Sequence, residues 1–202
     1  MAKEDHKKII ITAIDQYIID AVRSIRLNLD LSQKILSARL SSSGNTSKVG
    51  QAESVATNHK YTDADLHEIA HIFTDEAMKI KHHSGAGEYP LDFQTEYTLH
   101  DFYPKEPLPD ILVVKSKNIM ISKIYPTGAV GYLIEETDFL NDSRTTKEVT
   151  EEVNRLFEKK WKTTDLGSPL DRAVVKGDLI KTEPPLQVTY RKSSAKNALA
   201  TE

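Results

Sequence analysis

The chain is expected to be mainly α-helical, with an N-terminal bundle of helices and a small α+β domain at its C-terminal end. Three observations predict this. Apolar residues recur at helical spacing between Ile14 and Phe73. A stretch rich in Pro, Gly, His and acidic residues then interrupts the pattern. Beyond it, helical segments alternate with short β-branched runs that end near Lys192. The expected organisation is a helical domain at 7–84, a linker at 85–109, an α+β domain at 110–192 and a frayed tail at 193–202.

Each element has a local reason. Ile14, Ile18, Val22, Ile25 and Leu29 place one apolar stripe on a first helix. Ser32 can cap a second, which buries Ile35, Leu36 and Leu40. Ser41-Ser42-Ser43-Gly44-Asn45 is turn chemistry, with a glycine able to take positive φ. A third helix is predicted over Thr46 to Glu53, anchored by Val49 and Ala52. Thr62-Asp63-Ala64-Asp65 is a capping-box variant, opening a fourth helix that buries Leu66, Ile69, Ala70 and Phe73. The runs Ile111 to Val114 and Ile119 to Ile121 read as strands. Helices follow from about Pro126, over Thr146 to Phe157, and from Leu170 to Gly177. Asp178 to Lys181 and Gln187 to Arg191 read as strands joined through Glu183-Pro184-Pro185.

Composition narrows the class. The 202 residues are 39% hydrophobic and 28% charged, enough to bury a core. There is no cysteine, which excludes disulfides, thiolate chemistry and sulfur-ligated zinc. No apolar run approaches the ~18 residues of a membrane span, and the charged start MAKEDHKK lacks a signal-like apolar stretch. A cytoplasmic protein with no membrane partner is expected. The net charge of −3 hides a pattern: +4 over 7–60, −9 over 61–143 and +4 over 144–196. Two basic segments around an acidic middle hint at a polyanionic partner.

The residues Val22-Arg23-Ser24-Ile25-Arg26, followed by Leu31-Ser32-Gln33-Lys34-Ile35-Leu36-Ser37, resemble the phage-repressor (Cro-like, XRE-type) helix-turn-helix family. Glu53, Tyr61, Leu66, Ile69-Ala70 and Phe73 continue the likeness, which covers roughly residues 10 to 80. The turn Ser41-Ser42-Ser43-Gly44 departs from the family, and Gln33 to Glu53 is about two residues longer than in compact repressors. The resemblance implies an N-cap near Asn45, base-facing Thr46, Ser47 and Gln51, and a phosphate contact at Gln33. It also implies a partly buried ion pair between Arg26 and Glu53. Charge and position add Lys48, His59 and Lys60 as phosphate contacts. The C-terminal part is similar to a winged helix, with Arg172, Lys176, Lys181, Arg191 and Lys192 able to face a backbone; a dimerising or partner-binding α+β domain is the alternative.

One motif points elsewhere. His67-Glu68-Ile69-Ala70-His71 matches the H-E-x-x-H zinc-peptidase pattern, and His82, His83, Glu88 and Glu96 could supply a third ligand. Against it, Leu66, Ile69, Ala70 and Phe73 already explain the helix as core, Asp65 adds an atypical charge, and only helices precede it. No glycine-rich phosphate loop or G-x-S-x-G elbow occurs. Trp161, Tyr89, Phe93, Tyr97, Phe102 and Tyr103 read as packing or linker anchors and not as a base-stacking platform. The expectation is a transcription regulator that binds specific double-stranded DNA as a homodimer, without catalytic residue, cofactor, metal or small-molecule ligand. The alternatives are a protein-interaction module, such as an antitoxin or adaptor, and the zinc peptidase.

Overall fold

The apolar stripe that starts at Ile14 becomes α1, Ala13–Asn28, in a computed structural model that describes residues 8–40, 46–83, 93–182 and 188–193. Among the described residues the protein is mainly helical with two small antiparallel sheets. It divides into two compact units, 1–120 and 121–202.

In the first unit, β1 (Ile10–Thr12) leads into α1, and Thr12 caps that helix by accepting from the Asp15 amide at 3.2 Å. Ser32 caps α2, Gln33–Arg39, through the Ile35 amide at 3.2 Å. α3 covers only Lys48–Glu53 with Ser47 as its N-cap residue, so Thr46 and Ser47 precede the helix instead of forming its first turn. α4, Asp63–His83, opens with the reciprocal Thr62–Asp65 box: the Thr62 amide donates to the Asp65 carboxylate at 2.8 Å, and the Asp65 amide to Thr62 Oγ1 at 3.3 Å. Val22, Leu36, Val49, Leu66, Ile69 and Phe73 are fully buried among these four helices. Ile35, expected inside, is 47% exposed.

Three expectations in this unit are corrected. From Phe93 to Pro109 the chain is no linker: Tyr97 and Phe102 are buried on Phe73, with ring centroids 5.8 and 6.0 Å away. Thr74 Oγ1 holds the Tyr97 amide at 2.9 Å. The run Ile119 to Ile121 is no strand, and a 3₁₀ turn occupies Ile121–Lys123. Leu112–Val114 does form a strand, β2, but it pairs with β1, which at three residues is too short to show an alternation in sequence. The first unit therefore extends to residue 120 instead of ending near 84.

The last residues of this unit strap across α1. Gln16 takes Ser116 with both ends of its amide, donating to the carbonyl and accepting from the N–H, each at 3.0 Å. The Met120 amide donates to Ser24 Oγ at 2.7 Å. Between them lies Asp20, whose carboxyl burial pushes up to about 6 although Gln16, Arg23 and Asn118 favour its charge. The folded protein thus holds this proton more tightly than the unfolded chain between the ordinary value of 3.8 and about 6. Stability should fall as pH rises through that window, by about 1–2 kcal/mol after allowing for solvent screening. Thermal midpoints measured from pH 4 to 7 should show this slope, and Asp20→Asn should flatten it; an unchanged slope would reject the assignment.

In the second unit the order is α5 (Pro126–Glu136), β3 (Arg144–Thr145), α6 (Thr146–Phe157), α7 (Thr163–Val175), β4 (Leu179–Thr182) and β5 (Thr189–Lys192). The sheet is antiparallel in the order β3-β5-β4. α6 starts on a Thr145–Glu148 capping box and buries Val149, Val153 and Phe157. α7 begins seven residues before the expected Leu170, because Asp165 accepts from the Lys162 amide at 2.8 Å and Leu166 is fully buried. Gly167 and Pro169 hide that turn from a propensity reading. Gly177 takes φ 77° after the helix, as a C-terminal glycine can. Glu183-Pro184-Pro185 lies outside the described residues. Among the described residues no helix is long and apolar enough to cross a membrane.

Candidate nucleic-acid interface

The first three helices are locked by one buried carboxylate. Arg26 donates from Nε to Glu53 Oε1 at 3.0 Å and from Nη2 to Oε2 at 2.8 Å, a parallel two-bond engagement. Arg23, one turn earlier on α1, adds a bond from Nε to Oε2 at 3.1 Å and one from Nη2 to the Glu53 carbonyl at 2.8 Å. All three side chains are fully buried. Arg26 Nη1 also reaches the Leu31 carbonyl at 2.7 Å, fixing the turn into α2. Burial would push the Glu53 carboxyl up, but the charge and hydrogen bonds of Arg26, then Arg23 and Gln33, hold it below its ordinary value.

Sequence reasoning missed Arg23, although its three-residue spacing from Arg26 places both on one helical face. It also assigned Gln33 to a phosphate. Gln33 instead donates from Nε2 to Glu53 Oε2 at 2.8 Å, so one amide N–H braces α2 against α3. The Val49 amide donates to Ser37 Oγ at 3.0 Å and closes the same joint.

The outer side of this joint is an open groove of about 540 Å³. Gln33, Lys34, Thr46, Ser47 and Gln51 line it, with Ser37, Ser54 and Thr57. Thr46 and Ser47 are exposed and Gln51 half-buried, so three residues expected to face bases share one surface. Asn45 lies outside the described residues. Lys34, not singled out from sequence, is exposed at the rim; its place beside Gln33 was the available signal.

The expected lysines are arranged differently. Lys48 is not directed to solvent for a phosphate: its ammonium is paired with Asp65, itself buried and held by Thr62. Burial raises the Asp65 carboxyl, but the bonds from Lys48 and Thr62 win and lower it. Lys48 therefore ties the start of α3 to the start of α4. Lys60 pairs with Asp15 at 3.1 Å while more than half exposed, a contact that water screens strongly. His59 is exposed, and its carbonyl accepts from Lys115 Nζ at 2.8 Å.

In the second unit, Arg172 is turned inward, donating to Thr127 Oγ1 at 2.8 Å and Ser168 Oγ at 3.1 Å. Lys181 pairs with Asp171 at 3.2 Å, and Lys192 donates to the Thr137 carbonyl. These three serve the fold of the unit. Lys176 and Arg191 are exposed.

His67 and His71 are exposed on α4, opposite the buried Leu66, Ile69, Ala70 and Phe73. Among the described residues no three His, Asp or Glu side chains gather as a metal set would. Glu88 lies outside the described residues.

No known protein family, no curated protein and no solved structure matches the chain.

Proposed function

We propose that the protein is a regulator that binds double-stranded DNA sequence-specifically, through a helix-turn-helix made by α2 and α3, and acts by binding without catalysis. The observation that carries this reading is the Arg23–Arg26–Glu53–Gln33 clasp beneath an open groove lined by Thr46, Ser47 and Gln51. A helix reads a groove of DNA only if its height and angle are held by a second helix, and a buried bidentate pair supplies both. Thr46, Ser47 and Gln51 are the short polar side chains that can reach base edges. In the second unit, the order helix, strand, helix, helix, strand, strand and the sheet order β3-β5-β4 favour a winged-helix reading. A single α3 of six residues offers few base contacts, which favours two copies on a two-fold site.

Fluorescence anisotropy against a random duplex library, at ~50 and ~200 mM salt, tests the reading: binding should weaken by tenfold or more. Gln51→Ala should relax base preference. Lys34→Ala should weaken all sequences alike and reduce the salt slope by about 1. Lys48→Ala should leave that slope unchanged, because its ammonium is spent on Asp65. No salt-dependent binding to any duplex would reject the reading.

A further inference from the structure

Strand alternation divides the β1–β2 ribbon into two faces. Ile11 pairs with Val113, and both pack on the helical core. On the opposite face Ile10 pairs with Val114, and Thr12 with Leu112. There Ile10 is 59% exposed, Leu112 70% and Val114 52%. Together these three present roughly 300 Å² of apolar surface, at the lower end of the largest patches on soluble monomers, which often have a use. The sheet has only these two strands among the described residues, so the outer edge of each is unpaired.

Charge selects the occupant. The face carries no charged side chain, so a second copy of it meets no repulsion. Lys8 stands two residues before Ile10 and Asp110 two before Leu112; both are exposed. Because the strands are antiparallel, this cation and anion mark opposite ends of the ribbon. Two ribbons laid face to face with one reversed therefore bring unlike charges together at both ends. A two-fold axis across the strands makes each contact twice.

We propose that the outer face of the β1–β2 ribbon is a homodimer interface, in which a reversed second copy covers Ile10, Leu112 and Val114 and sets Lys8 against the partner's Asp110. The pair buries about 600 Å² of apolar surface in all, well short of the ~1,200 Å² at which stable interfaces begin. The dimer is thus concentration-dependent, with a Kd on the order of 1–100 μM. It names the partner surface for the dimeric DNA-binding reading and rests on that reading only for the expectation of two copies.

Sedimentation equilibrium of the full chain without DNA, from about 1 to 300 μM, should show a reversible monomer–dimer equilibrium. Leu112→Lys should weaken it at least ~30-fold with an unchanged thermal midpoint, since the side chain is 70% exposed. Lys8→Glu and Asp110→Lys should each weaken it about tenfold, and the double variant should return to within about threefold of the parent. A monomer throughout the range, a dimer indifferent to Leu112→Lys, or a double variant no better than the singles would overturn the proposal. A monomer that still binds duplex in the anisotropy experiment overturns the dimer surface alone. A dimer that binds no duplex overturns the DNA-binding reading alone.

Discussion

Glu53→Gln should cost about 3–5 kcal/mol of stability in the first unit, enough to leave it partly unfolded if its total is near the low end of ~5 kcal/mol. The substitution strands two guanidiniums, Arg23 and Arg26, with no exposure to water and no carboxylate between them. Arg26→Ala should cost less, because Glu53 then keeps Arg23 and Gln33. A surface ion pair would be worth at most ~1 kcal/mol, so a loss that small would mean the clasp is solvated. The acid side of the stability profile carries a second mark. The folded protein holds the Glu53 carboxyl below its ordinary value of 4.5. Its contribution is therefore complete above that value and lost as pH falls through the folded value. Urea unfolding followed by far-ultraviolet circular dichroism reads both effects. The one tryptophan, Trp161, belongs to the second unit, so its fluorescence transition serves as an internal control.

Phe102→Ala should cost about 3–5 kcal/mol, the range for removing a fully buried aromatic ring. Phe102 has no exposed surface and stands edge-on to Phe73 at 6.0 Å. The loss therefore opens a hole beside the most buried ring of α4. Around it, Tyr97 packs on the same ring at 5.8 Å and Tyr103 donates its hydroxyl to Asp63 at 2.7 Å. This anchors the chain at both ends of the 3₁₀ turn Leu99–Phe102. A true linker would tolerate the change within ~0.5 kcal/mol. The same urea titration decides: a small loss would return the boundary of the first unit to the region near residue 84, and a large one keeps it at 120.

What the sequence determined by itself was local. Ser32, the Thr62–Asp65 box and the helix Thr146–Phe157 were legible because every group involved lies within four residues of its partner. The groove was half legible: Thr46, Ser47 and Gln51 do share a surface, since neighbours in a turn and a short helix stay neighbours. The tertiary structure alone decided the rest. It gave Glu53 a second arginine and Gln33, took Lys48 for Asp65, and seated Tyr97 and Phe102 on α4. It also joined Ile10–Thr12 to Leu112–Val114 across a hundred residues. Such choices are competitions. A lysine, an amide or an aromatic ring can be satisfied by any of several partners, and the winner is the one that chain closure brings within reach and desolvation makes strong. Neither closure nor desolvation is written in the residues beside it.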